Sequence, residues 1–430
     1  MDQPLKPTLN RDDFTNVASA LGWQARQQPD AVAIHYPRSR LFRKPIYESC
    51  TYRELDKLSD DYARGLAAYG IGPGTRTALM VTPGLDFFAL FFALFKAGAV
   101  PVLIDPGIGI KPLKQCLAEA APSAFIGVTR AQLARKVLGW AKESCERLVT
   151  AGPTLGLGGI GLKKLREIGQ SSAGDAMHAV GPDDMAAILF TSGSTGIPKG
   201  VVYRYRHFKA QVQLLRDAFD IQPGEVSLPT FPPFALFDPA LGMTTIVPDM
   251  DPTRPADADP VKLVETIKRY KVTNIFGSPA LLDTLSRHCV DQGIRLESVT
   301  RVISAGAAVP VRTIRRMQRS LYRDAQVHTP YGATECLPVA SVSGTELDSE
   351  IERRTAAGEG TCVGRPVSPN DVKIIPVTDN VVESFADTVE LPVGITGEVV
   401  VHGPTTTDSY WQREEQTRLA KITDAEGRTW

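Results

Sequence analysis

Residues 186–200 read Ala-Ala-Ile-Leu-Phe-Thr-Ser-Gly-Ser-Thr-Gly-Ile-Pro-Lys-Gly. The first five are apolar and predict a buried strand. The rest predicts an irregular loop built to meet an anion. Its three glycines let the backbone approach closely. Hydroxyls of Thr191, Ser192, Ser194 and Thr195, with exposed N–H groups, can donate to phosphate oxygens, and Lys199 adds positive charge. A P-loop of the GxxxxGK[ST] type is excluded because Pro198, not Gly, precedes the lysine. A Ser/Thr/Gly linker is the plain alternative, but linkers seldom follow an apolar strand and end in Pro-Lys-Gly.

Outward from this stretch the pattern is alternating α/β. A helix is predicted over 51–69, with Thr51 as N-cap, Glu54 completing a capping box, and Leu55, Leu58, Tyr62, Leu66 and Tyr69 at helical spacing. Strand 76–81, helix 84–96, strand 99–104, helix 111–120 and strand 124–128 follow. Beyond the loop, helices are predicted at 206–219, 260–270 and 279–292, and strands at 272–276 and 300–304. Such alternation predicts mostly parallel sheets with helices on both faces. Residues 151–183 are Gly- and Ser-rich and read as a connection. Short β-like runs at 371–376 and 397–402 suggest a small β-rich, barrel-like subdomain. The expected fold is α/β, with a first α/β lobe over 1–180, a second over 181–348 that includes the loop, and the β-rich subdomain over 349–430.

Composition narrows the function. At about 150 residues per domain, 430 residues predict two to three domains. Lys plus Arg and Asp plus Glu both number 48, so the zero net charge lacks the footprint of a general nucleic-acid binder. Six cysteines without a CxxC pair and six histidines without HExxH spacing suggest neither a disulfide framework nor a zinc site. Any metal should be held by oxygen, together with a substrate phosphate. The polar start is no secretory signal, and the apolar run 87–95 (FFALFFALF) is far short of the ~20 residues that span a bilayer. That run reads as a buried helix leading into a strand, and the chain as cytoplasmic, with no transmembrane segment. A GxGxxG match at 156–161 is weak, since no strand is evident before it. No GxSxG elbow appears.

The motifs, taken in order, resemble those of the adenylate-forming superfamily of acyl-CoA synthetases, luciferase-like enzymes and nonribosomal adenylation domains. TSGSTGIPKG resembles its phosphate loop, Tyr331-Gly-Ala-Thr-Glu335 its YGxTE motif, and Ser304-Ala-Gly-Ala-Ala308 its adenine segment. Val363-Gly-Arg-Pro366, Gly397-Glu398, Gly403-Pro404 and Tyr410 resemble the stretch that follows. The resemblance implies that a carboxylate attacks the α-phosphate of ATP, releasing pyrophosphate and leaving an acyl-adenylate. It implies phosphate binding by Thr191, Ser192, Gly193, Ser194, Thr195, Gly196 and Lys199. Thr334 would donate to the α-phosphate and Glu335 would hold Mg2+. Gly306, Ala307 and Ala308 would edge the adenine, with Tyr331 stacked on it. With Lys199, Thr334 and Glu335 are the expected catalytic residues. ATP and Mg2+ are the expected cofactors, with no tightly bound organic group.

The segment 231–242 (FPPFALFDPALG) stands where many members carry a histidine, and Ala235 occupies that place. Phe234, Ala235, Leu236, Phe237 and Gly332 are the expected acyl pocket, suiting a long alkyl chain. No counterpart of the family's smaller C-terminal domain, with its catalytic lysine, is found in residues 1–430. Within the superfamily, FPPFALFDPALGM and YGATECLPVA most resemble the olefin-pathway β-lactone synthetases. That resemblance implies a long-chain 2-alkyl-3-hydroxy fatty acid as substrate. Its own 3-hydroxyl would displace AMP, without coenzyme A. The pathway's thiolase, reductase and β-lactone decarboxylase are the implied partners. A long-chain acyl-CoA or acyl-AMP ligase, using coenzyme A in the former case, is the alternative enzyme. An idle nucleotide- or acyl-binding module is the alternative of another class.

Overall fold

The computed structural model describes residues 14–40, 43–191 and 198–430. Most strands belong to two large sheets. The first has seven strands, and its parallel centre runs Arg147–Ala151, Ala124–Val128, Arg76–Met80, Val100–Ile104, Met185–Thr191 in space. Lys199–Arg204 closes one edge as the antiparallel partner of Met185–Thr191. The second has nine strands. Its parallel centre is Gln326–Ala333, Arg301–Ser304, Asn274–Gly277, Val226–Pro229, Thr244–Ile246 and Val32–Arg40, with antiparallel strands outside. Mostly parallel sheets with helical connections are what the alternating pattern predicted.

The sheets interleave along the chain, so the divide expected at 180/181 does not follow sheet membership. Strands Val32–Arg40 and Arg43–Thr51 join the second sheet, while Met185–Thr191 and Lys199–Arg204 complete the first. The apolar run 186–190 is hydrophobic along its whole length, and Ala186, Ala187, Ile188 and Phe190 are buried. It therefore suits an interior position between Val100–Ile104 and the edge strand, not the start of a new sheet. The phosphate-loop motif connects two antiparallel strands of the first sheet, and its residues 192–197 lie outside the described residues.

Local signals are realised closely. Helix Tyr52–Ala68 begins with the expected capping box: the Glu54 N–H donates to Thr51 Oγ1 at 3.3 Å and the Thr51 N–H to the Glu54 carboxylate at 2.8 Å. Helix Leu85–Lys96 is buried along residues 87–96, as an all-round apolar helix should be, and leads into Val100–Ile104. Lys96 closes it with its ammonium 2.6 Å from Asp56 and 2.5 Å from Asp60. No helix among the described residues is long and apolar enough to cross a membrane.

Three expectations are corrected. The stretch 151–183 is not a bare connection: it contains helix Leu162–Ser171, packed on helix Tyr52–Ala68. The contact is glycine-lined. A Cβ on Gly65 would lie 2.2 Å from the Leu165 carbonyl oxygen, and one on Gly169 only 1.7 Å from that of Asp61. The GxGxxG run does follow a strand, Arg147–Ala151, but it folds along that strand's edge, where Ile160–Gly161 pairs with residues 149–150. Gly159 sits at φ +70 with its missing Cβ 2.1 Å from the Leu148 carbonyl oxygen, so close packing accounts for that glycine. The C-terminal region, expected to be barrel-like, holds a two-stranded ladder of Asp371–Ile375 and Glu398–His402 over Ile375, Ile422 and Trp430, with no closed barrel among the described residues.

Gly169→Ala should force the two helices apart and destabilise the protein by about 2–3 kcal/mol. Gly72→Ala, where a Cβ meets nothing within 4 Å, should change stability by less than about 1 kcal/mol. Urea denaturation of the two variants against wild type checks both.

Candidate active site

Thr334 and Glu335 form the turn between strands Gln326–Ala333 and Cys336–Ser343. Side chains from two distant segments pin it. Tyr203, on strand Lys199–Arg204, donates its phenolic proton to the Thr334 carbonyl at 2.7 Å. From the C-terminal side, Thr407 donates its N–H at 2.8 Å and its hydroxyl at 3.0 Å to the Glu335 carbonyl. Tyr410 donates its hydroxyl to the Glu335 carboxylate at 2.5 Å. Burial, that hydrogen bond and the carboxylate's charge all push the Tyr410 phenol above its ordinary pKa, so it stays a neutral donor. The Lys199 ammonium lies 4.9 Å from the centre of the same ring, a cation–π contact.

Tyr410 is held there by backbone pairing. Val202 N–H donates to the Ser409 carbonyl at 3.0 Å and Trp411 N–H to the Gly200 carbonyl at 2.7 Å, adding a short antiparallel segment to the first sheet. Lys421 is a second cation in this neighbourhood. Burial lowers its pKa, while the charges of Glu335, Cys336 and Asp408 pull it upward. His207 packs nearby, fully buried, its Nδ1 accepting the Arg204 N–H at 3.0 Å; burial first, then Arg206, pushes its pKa down to about 4.

The expected adenine residues sit at the C-terminal end of the second sheet's parallel strands, where α/β sheets bind ligands. Gly306, Ala307 and Ala308 form an exposed loop after strand Arg301–Ser304. Gly306 adopts φ +94 there. Tyr331 is on the adjacent strand, paired through Ile303 and His328, and is 41% exposed, leaving a ring face open to stacking.

A cavity of about 620 Å³ opens beside Thr334. Phe87, Phe91, Phe208, Phe234, Phe237 and Trp140 contribute aromatic rings to its mostly apolar wall. Of the expected acyl-pocket residues, Phe234, Leu236 and Phe237 line it. Ala235 is buried off the wall, and Gly332 is exposed on the strand edge, where a Cβ would meet the Cys336 carbonyl oxygen and Leu337 Cβ at 2.9 Å. Asp238 belongs to the same segment but is not on the wall. It is buried against Thr245, whose hydroxyl it accepts at 3.2 Å, and burial pushes its carboxyl up to about 7.

The structure thus brings Lys199 and Glu335 together on Tyr410, with Thr334 beside Glu335 on the cavity wall, and places Tyr331 and Gly306–Ala308 at the ends of neighbouring strands of the second sheet. Ser192, Gly193, Ser194, Thr195 and Gly196 lie outside the described residues, and of Thr191 only the strand backbone is described. The sequence reading assigned no site role to Tyr203, Thr407 or Gln211. It used Tyr410 only as a motif residue. No group of three His, Cys, Asp or Glu side chains is gathered for a metal among the described residues. The Glu335 carboxylate, next in the chain to the cavity-lining Thr334, fits Mg2+, which is commonly bound through one carboxylate plus substrate phosphate oxygens.

Known proteins resemble this chain over most of its length. Residues 21–411 match the AMP-binding enzyme family. An olefin beta-lactone synthetase from Stenotrophomonas maltophilia is 54% identical over 419 residues, 96% of this chain and 75% of the relative. One from Xanthomonas campestris pv. campestris is 51% identical over 437 residues, covering 96% of this chain and 77% of the relative. In fold, the chain superposes on a long-chain-fatty-acid-CoA ligase from Archaeoglobus fulgidus with a TM-score of 0.78 at 21% identity, over 96% of this chain and 80% of that one. It superposes on the N-terminal domain of FACL13 from Mycobacterium tuberculosis with a TM-score of 0.73 at 22% identity, over 97% and 99%.

Tyr410→Phe should cost about 1.5–3 kcal/mol, the range for a hydrogen bond to a charged group. Adding Glu335→Gln should cost less in that background than in wild type, a non-additivity read by urea denaturation of the double-mutant cycle. Asp238 gives a pH test. Its folded pKa lies above the unfolded value, so the cost of burying its charge sets in as pH rises from about 4 through about 7. Asp238→Asn should therefore stabilise the protein at pH 8, by on the order of 2–4 kcal/mol relative to its effect at pH 4. Denaturation midpoints at the two pH values check it.

Proposed function

The chain belongs to the AMP-binding enzyme family, and on that premise we propose that it converts a long-chain 2-alkyl-3-hydroxy fatty acid and ATP into a β-lactone, AMP and pyrophosphate. The observation that carries the reading is identity above 50% over 96% of the chain with two olefin beta-lactone synthetases. The apolar cavity beside Thr334 supports a long alkyl substrate.

In this reading Lys199 and the loop residues Thr191 to Gly196 hold the β- and γ-phosphates, and Thr334 donates to the α-phosphate. Glu335 would hold Mg2+, whose charge offsets that of the triphosphate. Tyr331 stacks on adenine, and the Gly306–Ala308 backbone meets its edge. The acid's carboxylate attacks the α-phosphorus and pyrophosphate leaves. Thr334 and Lys199 favour this step by countering charge where two anions must approach. The 3-hydroxyl oxygen then bonds to the activated carbonyl carbon, the bond from that carbon to the phosphate oxygen breaks, and AMP departs with the electron pair. A cavity that confines the alkyl chains keeps hydroxyl and carbonyl close enough for this intramolecular attack. The mixed anhydride supplies the driving force for the strained ring.

A thiolase and reductase that make such an acid, and a decarboxylase that consumes the lactone, are the partners this chemistry calls for, in the cytoplasm. The test is to incubate the intact protein with Mg-ATP and a 2-alkyl-3-hydroxy fatty acid, with and without coenzyme A, and read products by mass spectrometry. A product one water lighter than the acid, formed without coenzyme A, is expected. Acyl-CoA formed only with the thiol present would replace this reading by an acyl-CoA ligase. A released acyl-adenylate would make it an acyl-AMP ligase, and nucleotide binding without pyrophosphate release an idle binding module.

A further inference from the structure

We propose that Gln211 accepts a hydrogen bond from the substrate's 3-hydroxyl and aims that oxygen at the activated carbonyl. The inference rests on the lactone-forming reading above. Polar side chains are unevenly distributed around the cavity. Thr82, Asp105, Arg130, Asp251 and Thr253 also line it, but all five are exposed and belong to its solvent-facing rim. Tyr203 and Gln211 are different. They are 1% and 3% exposed, and they lie on the wall beside Thr334.

Their hydrogen bonds fix which atom Gln211 offers. Tyr203 has one phenolic proton, and it goes to the Thr334 carbonyl at 2.7 Å. Toward Gln211 the phenol oxygen can therefore only accept, which requires the amide nitrogen to face it, at 3.3 Å. The amide oxygen remains, and no donor reaches it among the described residues. On a wall this apolar, an acceptor that no protein group satisfies is poised for a ligand that brings a donor. Helix Tyr205–Phe219 holds Gln211 rigidly, and Tyr203 ties it to the turn that carries Thr334.

With the acyl-adenylate's phosphate at Thr334, its carbonyl carbon lies next to this pair. The 3-hydroxyl is two carbons further along and is the only donor the substrate carries near that end. A plain fatty acid carries none. Hydrogen-bonded to the Gln211 oxygen, the hydroxyl keeps its lone pairs free for the carbonyl, at the ~3–3.5 Å of a productive approach. The amide does not take the proton. That proton leaves to solvent as the new carbon–oxygen bond forms and AMP departs with the electrons of the broken bond. The same unpaired acceptor discriminates against acids that lack the hydroxyl.

The test compares wild type with Gln211→Met, which keeps the volume and removes the acceptor. The substrates are a 2-alkyl-3-hydroxy fatty acid and its 3-deoxy analogue, with pyrophosphate exchange and lactone formation both measured. Gln211→Met should keep exchange on the deoxy acid within about twofold, which reports an intact adenylation site. It should lose lactone formation about tenfold or more, and lose the preference for the hydroxy acid in exchange. Lactone formation and preference within about twofold of wild type would overturn the proposal, as would a parallel loss of deoxy-acid exchange, which marks a purely structural role. No lactone from wild type would instead overturn the reading on which the proposal rests.

Discussion

A single phenol, that of Tyr410, holds the candidate site together. Its hydroxyl binds the Glu335 carboxylate and its ring face carries the Lys199 ammonium, so one neutral side chain stands between opposite charges. The arrangement depends on Tyr410 staying protonated, which burial and the adjacent carboxylate secure. A direct Lys199–Glu335 pair would satisfy the two groups with each other. Interposing a phenol leaves the ammonium free to meet an anion and the carboxylate free to meet a cation. A Phe at this position would keep the cation–π face and lose the carboxylate contact, whereas Tyr supplies both.

Because Tyr410 lies far along the chain from both partners, everything that seats residues 405–413 bears on the site. The backbone pairing to Gly200 and Val202 is one anchor. Beyond it, Arg413 grips the Glu119 carboxylate at 2.6 and 3.1 Å, and the Trp411 indole donates to the Glu119 carbonyl at 3.2 Å. Arg76 stacks over the Trp411 ring at 5.0 Å. These contacts tie the segment to the first sheet, while Thr407 ties it to the turn that ends a strand of the second. The candidate site is the seam of the two sheets. Helix Leu85–Lys96 backs that seam: Phe87 and Phe91 face the cavity, and the Phe91 and Phe95 rings pack at a tilt within the core, 4.7 Å apart.

What could be read from the sequence was local. The Thr51/Glu54 capping box, the apolar helix at 87–95 and the buried strand at 186–190 each depend on residues within a few positions, and each is realised. Sheet membership depends on partners far away. Val32–Arg40 pairs with Thr244–Ile246 across some two hundred residues, and nothing in either segment names the other. Helix Leu162–Ser171 escaped notice for a related reason. Only Leu165 and Gly169 are buried, and the packing it uses is the absence of side chains at Gly65 and Gly169, which periodicity does not register. At the site, Lys199, Thr334 and Glu335 announced themselves by motif. Tyr203, Thr407 and Gln211 act through contacts made only after the sheets meet, and a phenol or amide on a strand or helix carries no mark of its future partner.

The cavity then poses a problem of placement rather than amount. Its wall is apolar enough to hold alkyl chains, and any charge left on it would face both desolvation and the carboxylate of an incoming acid. Asp238 shows how the fold avoids this. Though it belongs to the aromatic segment that supplies Phe234 and Phe237, it turns into the protein against Thr245, where burial favours its protonated form near neutrality. Among the described residues, the buried polar groups on the wall beside Thr334 are those of Tyr203 and Gln211, both neutral at ordinary pH. Neutral groups can hold a hydroxyl without repelling the carboxylate two carbons away, which a charged acceptor such as Glu at position 211 would do. An acceptor that stays uncharged suits a substrate that must first react as an anion and then as an alcohol.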